Sequence, residues 1–326
     1  MVPMPKALTV CQSNSSDLSP LRSSPVHSQI PFLPSGLACS RLNSSVGRIW
    51  SECANLVVDC HVHPTFESDL FRMYAMDGRV DFSLNGLLSE MREARVEAAA
   101  TYASYVPEFT VTNERLLEIV RGHQNLIPIG SFDPHRPDVP RLKRYLSDKK
   151  LRGLKMYAGY WDLYPWDRRF DGVLDLCEKY RVPLFIHTGD TLTRSGNLKY
   201  SRPIHVDELA VNRPGLSVVM CHSGLPWLEE AAEVAYKNEN VMLDLAGIYV
   251  EHGAPYRSAY LERVSEKVEY AIYYVGEVKG KVLFGSDWPL AGMLGVIGFI
   301  RRLRIKTEDK ALILGKNAKE LFDLRI

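Results

Sequence analysis

From residue 55 onward, short apolar runs alternate with longer stretches in which apolar positions recur every three or four residues. The runs lie at 56–62, 96–102, 126–132, 151–157, 183–187, 216–222, 240–245 and 281–286, and their length and composition predict β-strands. The stretches between them predict helices. Ser83 is placed to cap one that buries Leu84, Leu87, Leu88 and Met91, at i, i+3, i+4 and i+7. Phe170, Val173, Leu174 and Cys177 repeat that spacing, as do Leu261, Val264 and Val268, continuing through Ala271, Ile272 and Val275. The run at 96–102 is ambiguous by itself, because Ala98, Ala99 and Ala100 suit a helix equally well.

Strands alternating with helices imply βαβ units around a parallel sheet. Eight units in about 270 residues match a (β/α)₈ TIM barrel, whose usual size is roughly 250 residues. A doubly wound open sheet competes with it, but that architecture usually has fewer strands, and no Gly-rich phosphate loop follows the first run. The expected organisation is therefore one α/β barrel domain over 55–326, preceded by a segment of different character.

Residues 1–54 form that segment. Its first 50 residues hold eleven serines and six prolines, one acidic residue (Asp17) and four basic ones (Lys6, Arg22, Arg41, Arg48). No apolar period appears, so disorder is the expectation. The arginines are sparse for a transit peptide, and no apolar stretch follows Lys6 as a secretory signal requires.

Composition narrows the function classes. Lys and Arg number 40 against 39 Asp and Glu, a formal net charge of +1, which gives no electrostatic reason to expect nucleic acid or an anionic membrane as partner. The longest apolar stretch, 290–300, is far short of the roughly 20 residues a bilayer requires and reads as a barrel helix. The cysteines include no C-x-x-C pair, so reduced thiols in the cytoplasm are expected. Cys60 and Cys221 each precede a histidine; strict strand alternation would turn each away from that histidine, as a packing residue.

In a barrel of this kind the reactive groups stand at the C-terminal ends of strands. The first run ends in His61-Val62-His63, whose period of two sends both imidazoles to one side. The fifth ends in His187, the sixth in His222, and Asp287 follows the eighth. Imidazole and carboxylate are zinc ligands. Taken singly, an H-x-H pair can be ordinary, a strand-end histidine is more often a satisfied core residue, and Asp287 could merely cap a helix. Their convergence on one end of one barrel favours a metal site.

These residues carry a family resemblance. Asp59-Cys60-His61-Val62-His63 resembles the opening D-x-H-x-H motif of the amidohydrolase superfamily, in its amidohydrolase-related branch. The segments 183–189, 219–224, 282–289 and 314–318 resemble its later motifs in order. The resemblance implies a divalent metal, usually zinc, on His61, His63, His187 and Asp287. It implies that Asp287 doubles as general base and that His222 acts beside the metal as a catalytic residue. Lys155, on the fourth run, implies either the carbamylated bridge of two-metal members or a substrate-binding ammonium; one ion is favoured over two. Asp59 is expected to be structural. Tyr160, Trp161, Asp190, Arg194, Tyr200, Trp227 and Trp288 follow strands and are candidate pocket residues.

The function expected first is hydrolysis of a carboxylic derivative of a small molecule (an amide, cyclic amide, lactone or ester) by water that the metal activates. The alternative is metal-dependent, non-oxidative decarboxylation of an aromatic or muconate-type acid, which an arginine in a dry, aromatic-lined pocket would favour. A non-catalytic scaffold is disfavoured because every ligand position is filled. The resemblance also allows a homodimer.

Overall fold

A computed structural model describes residues 56–249 and 257–326. Every one of the eight predicted runs contains a strand: β1 (Val58–Val62), β2 (Ala98–Tyr102), β3 (Leu126–Ile129), β4 (Leu154–Met156), β5 (Leu184–His187), β6 (Val218–Cys221), β7 (Val241–Asp244) and β8 (Val282–Leu283). The alanines of β2 are in the sheet, because Ala98 and Ala100 pack in the barrel interior and Ala99 in the outer core, and helix propensity is a weak force against that. The segment 1–54, expected to be disordered, lies outside the described residues.

All strand pairings are parallel, in the orders β1-β2-β3 and β4-β5-β6-β7-β8. Bridges between Gly130 and Leu154, and between Val62 and Trp288, join the two sheets at both seams. Backbone bonds from Cys60 N to Phe284 O (2.8 Å) and from His63 N to Trp288 O (2.9 Å) tie β1 to the chain leaving β8. The protein is a TIM barrel. Strand alternation splits its apolar residues between two cores. Leu184, Ile186, Val218, Met220, Val241 and Leu243 pack against the helices, while Val58, Phe185, Val219 and Leu283 fill the interior with Phe322.

The helices form where their apolar stripes predict. Ser83 Oγ accepts from Gly86 N at 3.0 Å and starts the helix Leu84–Ala94, which buries Leu87 and Met91. The other two stripes lie on Asp171–Tyr180 and Arg257–Val275. The stretch at 290–300 contributes to the helix Met293–Arg302. Among the described residues no helix is long and apolar enough to cross a membrane.

The expectation that Cys60 and Cys221 face away from their histidines fails. Both belong to the barrel interior. The reason is a break in alternation beside each. The β1–β2 register shifts between Asp59 and Val62, a bulge that lets Cys60 and His61 both turn inward. After Cys221, His222 (φ 62°) and Ser223 (φ 45°) adopt left-handed backbone, which swings His222 back over the barrel mouth.

Candidate metal centre

The residues singled out in the sequence meet at the C-terminal ends of the strands. His61 Nε2 lies 3.1 Å from His63 Nε2 and 3.6 Å from Asp287 Oδ1, and His63 Nε2 lies 3.3 Å from that same oxygen. His222 Nε2 is 3.1 Å from His187 Nδ1, and His222 Nδ1 is 3.9 Å from Asp287 Oδ2. Donor atoms of His61, His222 and Asp287 all lie within 4.8 Å of one another. His63 adjoins that group through His61 and Asp287, and His187 adjoins it through His222.

Hydrogen bonds on the far sides of the rings set their tautomers. His61 Nδ1 faces Asp244 Oδ2 at 2.5 Å, His187 Nε2 faces the Asp190 carbonyl at 2.8 Å, and His222 Nδ1 faces the Ala246 carbonyl at 3.1 Å. Carbonyl and carboxylate oxygens accept, so each of those ring nitrogens carries a proton and donates. The opposite nitrogens then present lone pairs inward. His187 Nδ1 and His222 Nε2 face each other at 3.1 Å with no proton between them in these tautomers, so unprotonated nitrogens gather on the inward side of the site. Asp287 Oδ1 is buried and accepts no hydrogen bond. Two nitrogens at the usual 2.0–2.1 Å from a tetrahedral zinc stand about 3.3 Å apart, close to the separations seen here. The donor set therefore fits a divalent cation.

The electrostatics agree. Burial, reinforced by neighbouring positive groups including Lys155, pushes the pKa of His61 and of His187 well below the usual histidine value. Burial takes His222 down to about 3. These imidazoles are neutral at pH 7, the form that ligates metal. For Asp287 burial opposes charge, but the surrounding histidines outweigh it and hold the carboxylate well below its ordinary range.

Asp287 itself has left-handed backbone (φ 65°), held by donation from its N to His61 O at 2.9 Å. Asp59 Oδ1 accepts from His61 N (3.0 Å) and Ser286 N (2.9 Å), joining the two ligand-bearing segments from below. Its burial raises its pKa to about 7.

Lys155 is fully buried. Its ammonium donates to Cys221 Sγ at 2.7 Å and stands 4.8 Å from the Tyr102 ring and 5.3 Å from that of Tyr157.

The expected pocket residues divide. Tyr160 lies edge-on to His187 at 5.0 Å between ring centres, and Asp190 holds that histidine through its carbonyl. Trp161 packs on Phe132 and Phe170. Tyr200 joins a group with Tyr164, and Trp227 lies under the Arg202 guanidinium. Trp288 is buried against Phe66 and Phe82. Arg194 is exposed. Asp244, which the sequence reading passed over, is the main addition. It closes the apolar strand β7 just as His187 closes β5, and that position was its signal.

The Amidohydrolase family model (Amidohydro_2) matches residues 58–324. The chain belongs to the amidohydrolase family. A comparison with curated proteins returns no match. Among solved structures, this amidohydrolase resembles 5-carboxyvanillate decarboxylase from Sphingomonas paucimobilis (17% identity, TM-score 0.61, covering 83% of this chain and 100% of that one). It also resembles a probable 2-pyrone-4,6-dicarboxylic acid hydrolase from Acinetobacter baumannii (15%, 0.59, 82% and 99%). A third relative is a dihydroxybenzoic acid decarboxylase from Polaromonas sp. JS666, with bound manganese and the inhibitor 2-nitroresorcinol (15%, 0.60, 83% and 98%). At these identities the structural likeness establishes the fold, and the amidohydrolase's reaction has to be argued from its own site.

Proposed function

We propose that this amidohydrolase binds one divalent cation on His61, His63, His187 and Asp287 and removes a carboxyl group, without oxidation, from a small planar acid. The observation that carries the reaction class is the aromatic wall beside the ligands. Phe71 and Tyr102 stand 5.1 and 5.7 Å from the His63 ring, and Tyr157 and Tyr160 stand 6.3 and 5.0 Å from that of His187. Phe71, Tyr102 and Tyr157 are buried and make the surroundings of the ligands dry, while the partly exposed Tyr160 offers a ring that favours a flat substrate over an extended peptide-like chain. Two structural relatives that decarboxylate aromatic acids share the fold.

The bound cation would hold and polarise an oxygen of the substrate. His and carboxylate donors suit zinc and manganese alike; zinc is the preferred assignment for so histidine-rich a set. His222, fixed by the Ala246 carbonyl, directs its Nε2 lone pair inward and is the group proposed to relay a proton from water to the carbon that the carboxyl group leaves. Lys155 lies on the barrel floor beside Cys221, where a basic side chain would attract an acidic substrate, and we favour that role over a second-metal bridge.

Hydrolysis is the second reading, favoured by Asp287 Oδ1, a buried acceptor free to take a proton from water. Metal-loaded protein in D₂O should release CO₂ from hydroxylated or carboxylated benzoates and place deuterium at the vacated carbon. Incorporation of ¹⁸O from labelled water into a ring-opened or cleaved product, with no CO₂, would replace decarboxylation by hydrolysis.

A further inference from the structure

Asp287 sits in a tight loop that its own backbone disfavours, and something outside the site has to hold that loop. Its φ of 65° belongs to the left-handed region, which non-glycine residues occupy only when their surroundings enforce it. Toward β1 the loop is fixed by Asp287 N to His61 O and by His63 N to Trp288 O. On the other side stands Glu90, on the helix Leu84–Ala94. Glu90 Oε2 accepts from the indole Nε1 of Trp288 at 2.7 Å, and Oε1 accepts from Met293 N at 2.7 Å. Trp288 directly follows Asp287, and Met293 opens the helix Met293–Arg302, so one carboxylate holds the chain leaving Asp287 at two points. The same negative charge sits at that helix's positive end.

We propose that Glu90 is a positioning residue for the site: through Trp288 and Met293 it sets where Asp287 places its carboxylate, and thereby sets metal affinity. Neither contact touches a ligand atom. Both partners are N–H donors, so the role calls for two acceptor oxygens on one group. Glutamine offers a single acceptor and turns its amide N–H₂ toward the other donor. Removing an outer support of a metal ligand typically weakens binding 10- to 100-fold.

This inference rests on the metal reading above, so its test separates the two. Full-length wild type, Glu90→Ala, Glu90→Gln and Trp288→Phe are stripped with chelator and titrated with Mn²⁺ and Zn²⁺ by calorimetry. Melting of the metal-free proteins and hydrogen exchange of the 286–293 amides are followed in parallel. The expected result is a loss of affinity of about tenfold or more for Glu90→Ala, a smaller loss for Glu90→Gln, and faster exchange across 286–293. Trp288→Phe, which removes the indole donor along with part of a buried ring, should reproduce part of the loss, and its metal-free melting reports the packing share. Should Glu90→Ala fail to fold, Glu90→Gln and Trp288→Phe carry the comparison. Wild-type affinity in folded Glu90 variants whose melting alone is lowered would reduce Glu90 to a structural residue and overturn the inference. If wild type takes up no metal, the metal reading falls. The hold on the loop is then judged by exchange alone, with unchanged exchange in Glu90→Ala overturning it.

Discussion

Replacing Asp244 by Asn tests how far the centre depends on a residue outside the proposed ligand set. Asp244 uses both carboxylate oxygens: Oδ2 accepts from His61 Nδ1 at 2.5 Å and Oδ1 accepts from Ala246 N at 2.7 Å. Both partners donate, and asparagine keeps only one acceptor. Whichever way its amide turns, an N–H₂ group faces a donor in a fully buried place. A charge-assisted bond contributes about 1.5–3 kcal/mol, so the metal-free variant should lose roughly 2–3 kcal/mol of stability. The freed His61 ring also loses the carboxylate that fixes its tautomer and raises its basicity. Metal affinity should fall 10- to 100-fold, or about 1.4–2.7 kcal/mol. Calorimetric titration of stripped Asp244→Asn with Zn²⁺ and Mn²⁺ reads the second effect, and urea unfolding in chelator reads the first. A folded variant that binds metal as wild type does would refute the claim that Asp244 orients His61.

Two further predictions follow from the same geometry. His187→Ala should lose most bound metal, whereas His222→Asn should keep it while losing turnover, both read by metal analysis of purified protein; loss of metal from His222→Asn would put His222 among the ligands instead. The metal-free protein should also weaken in acid. His61, His187 and His222 are buried neutral, so the stability their neutral forms allow is present above the unfolded value of 6.5 and is lost as pH falls below it. Asp59 and Asp244, raised by burial to about 7 and about 6, work the other way. They stabilise below 3.8 and lose that contribution as pH rises through 6–7. With three groups against two, the net expectation is a loss of stability as pH falls below 6, and urea midpoints that stay flat or rise between pH 6 and 4 would refute this balance.

The sequence by itself determined the barrel and most of the site. Eight apolar runs spaced by helical stripes leave few ways to bury both faces of a parallel sheet, and a strand-end position carries His61, His63 and His187 to one rim whatever the loops do. Ser83 and the stripe through Leu87 and Met91 were local signals, because capping and a period of 3.6 involve only neighbours in the chain.

Tertiary structure decided everything that rests on a partner far away in sequence or on a departure from regular backbone. The inward turn of Cys60 needs a bulge against β2, and that of His222 needs two successive left-handed residues; alternation assumes neither. Asp244 is 183 positions from His61 and Glu90 is 198 from Trp288, so no local pattern announces either bond. The contact of Lys155 with the Cys221 thiol, 2.7 Å away, joins residues 66 positions apart and has no local signal either. Side-chain chemistry and strand period place the ligands on one rim. The hydrogen bonds that choose a tautomer, hold a strained turn or occupy a lysine form only when the closed barrel brings distant strands together.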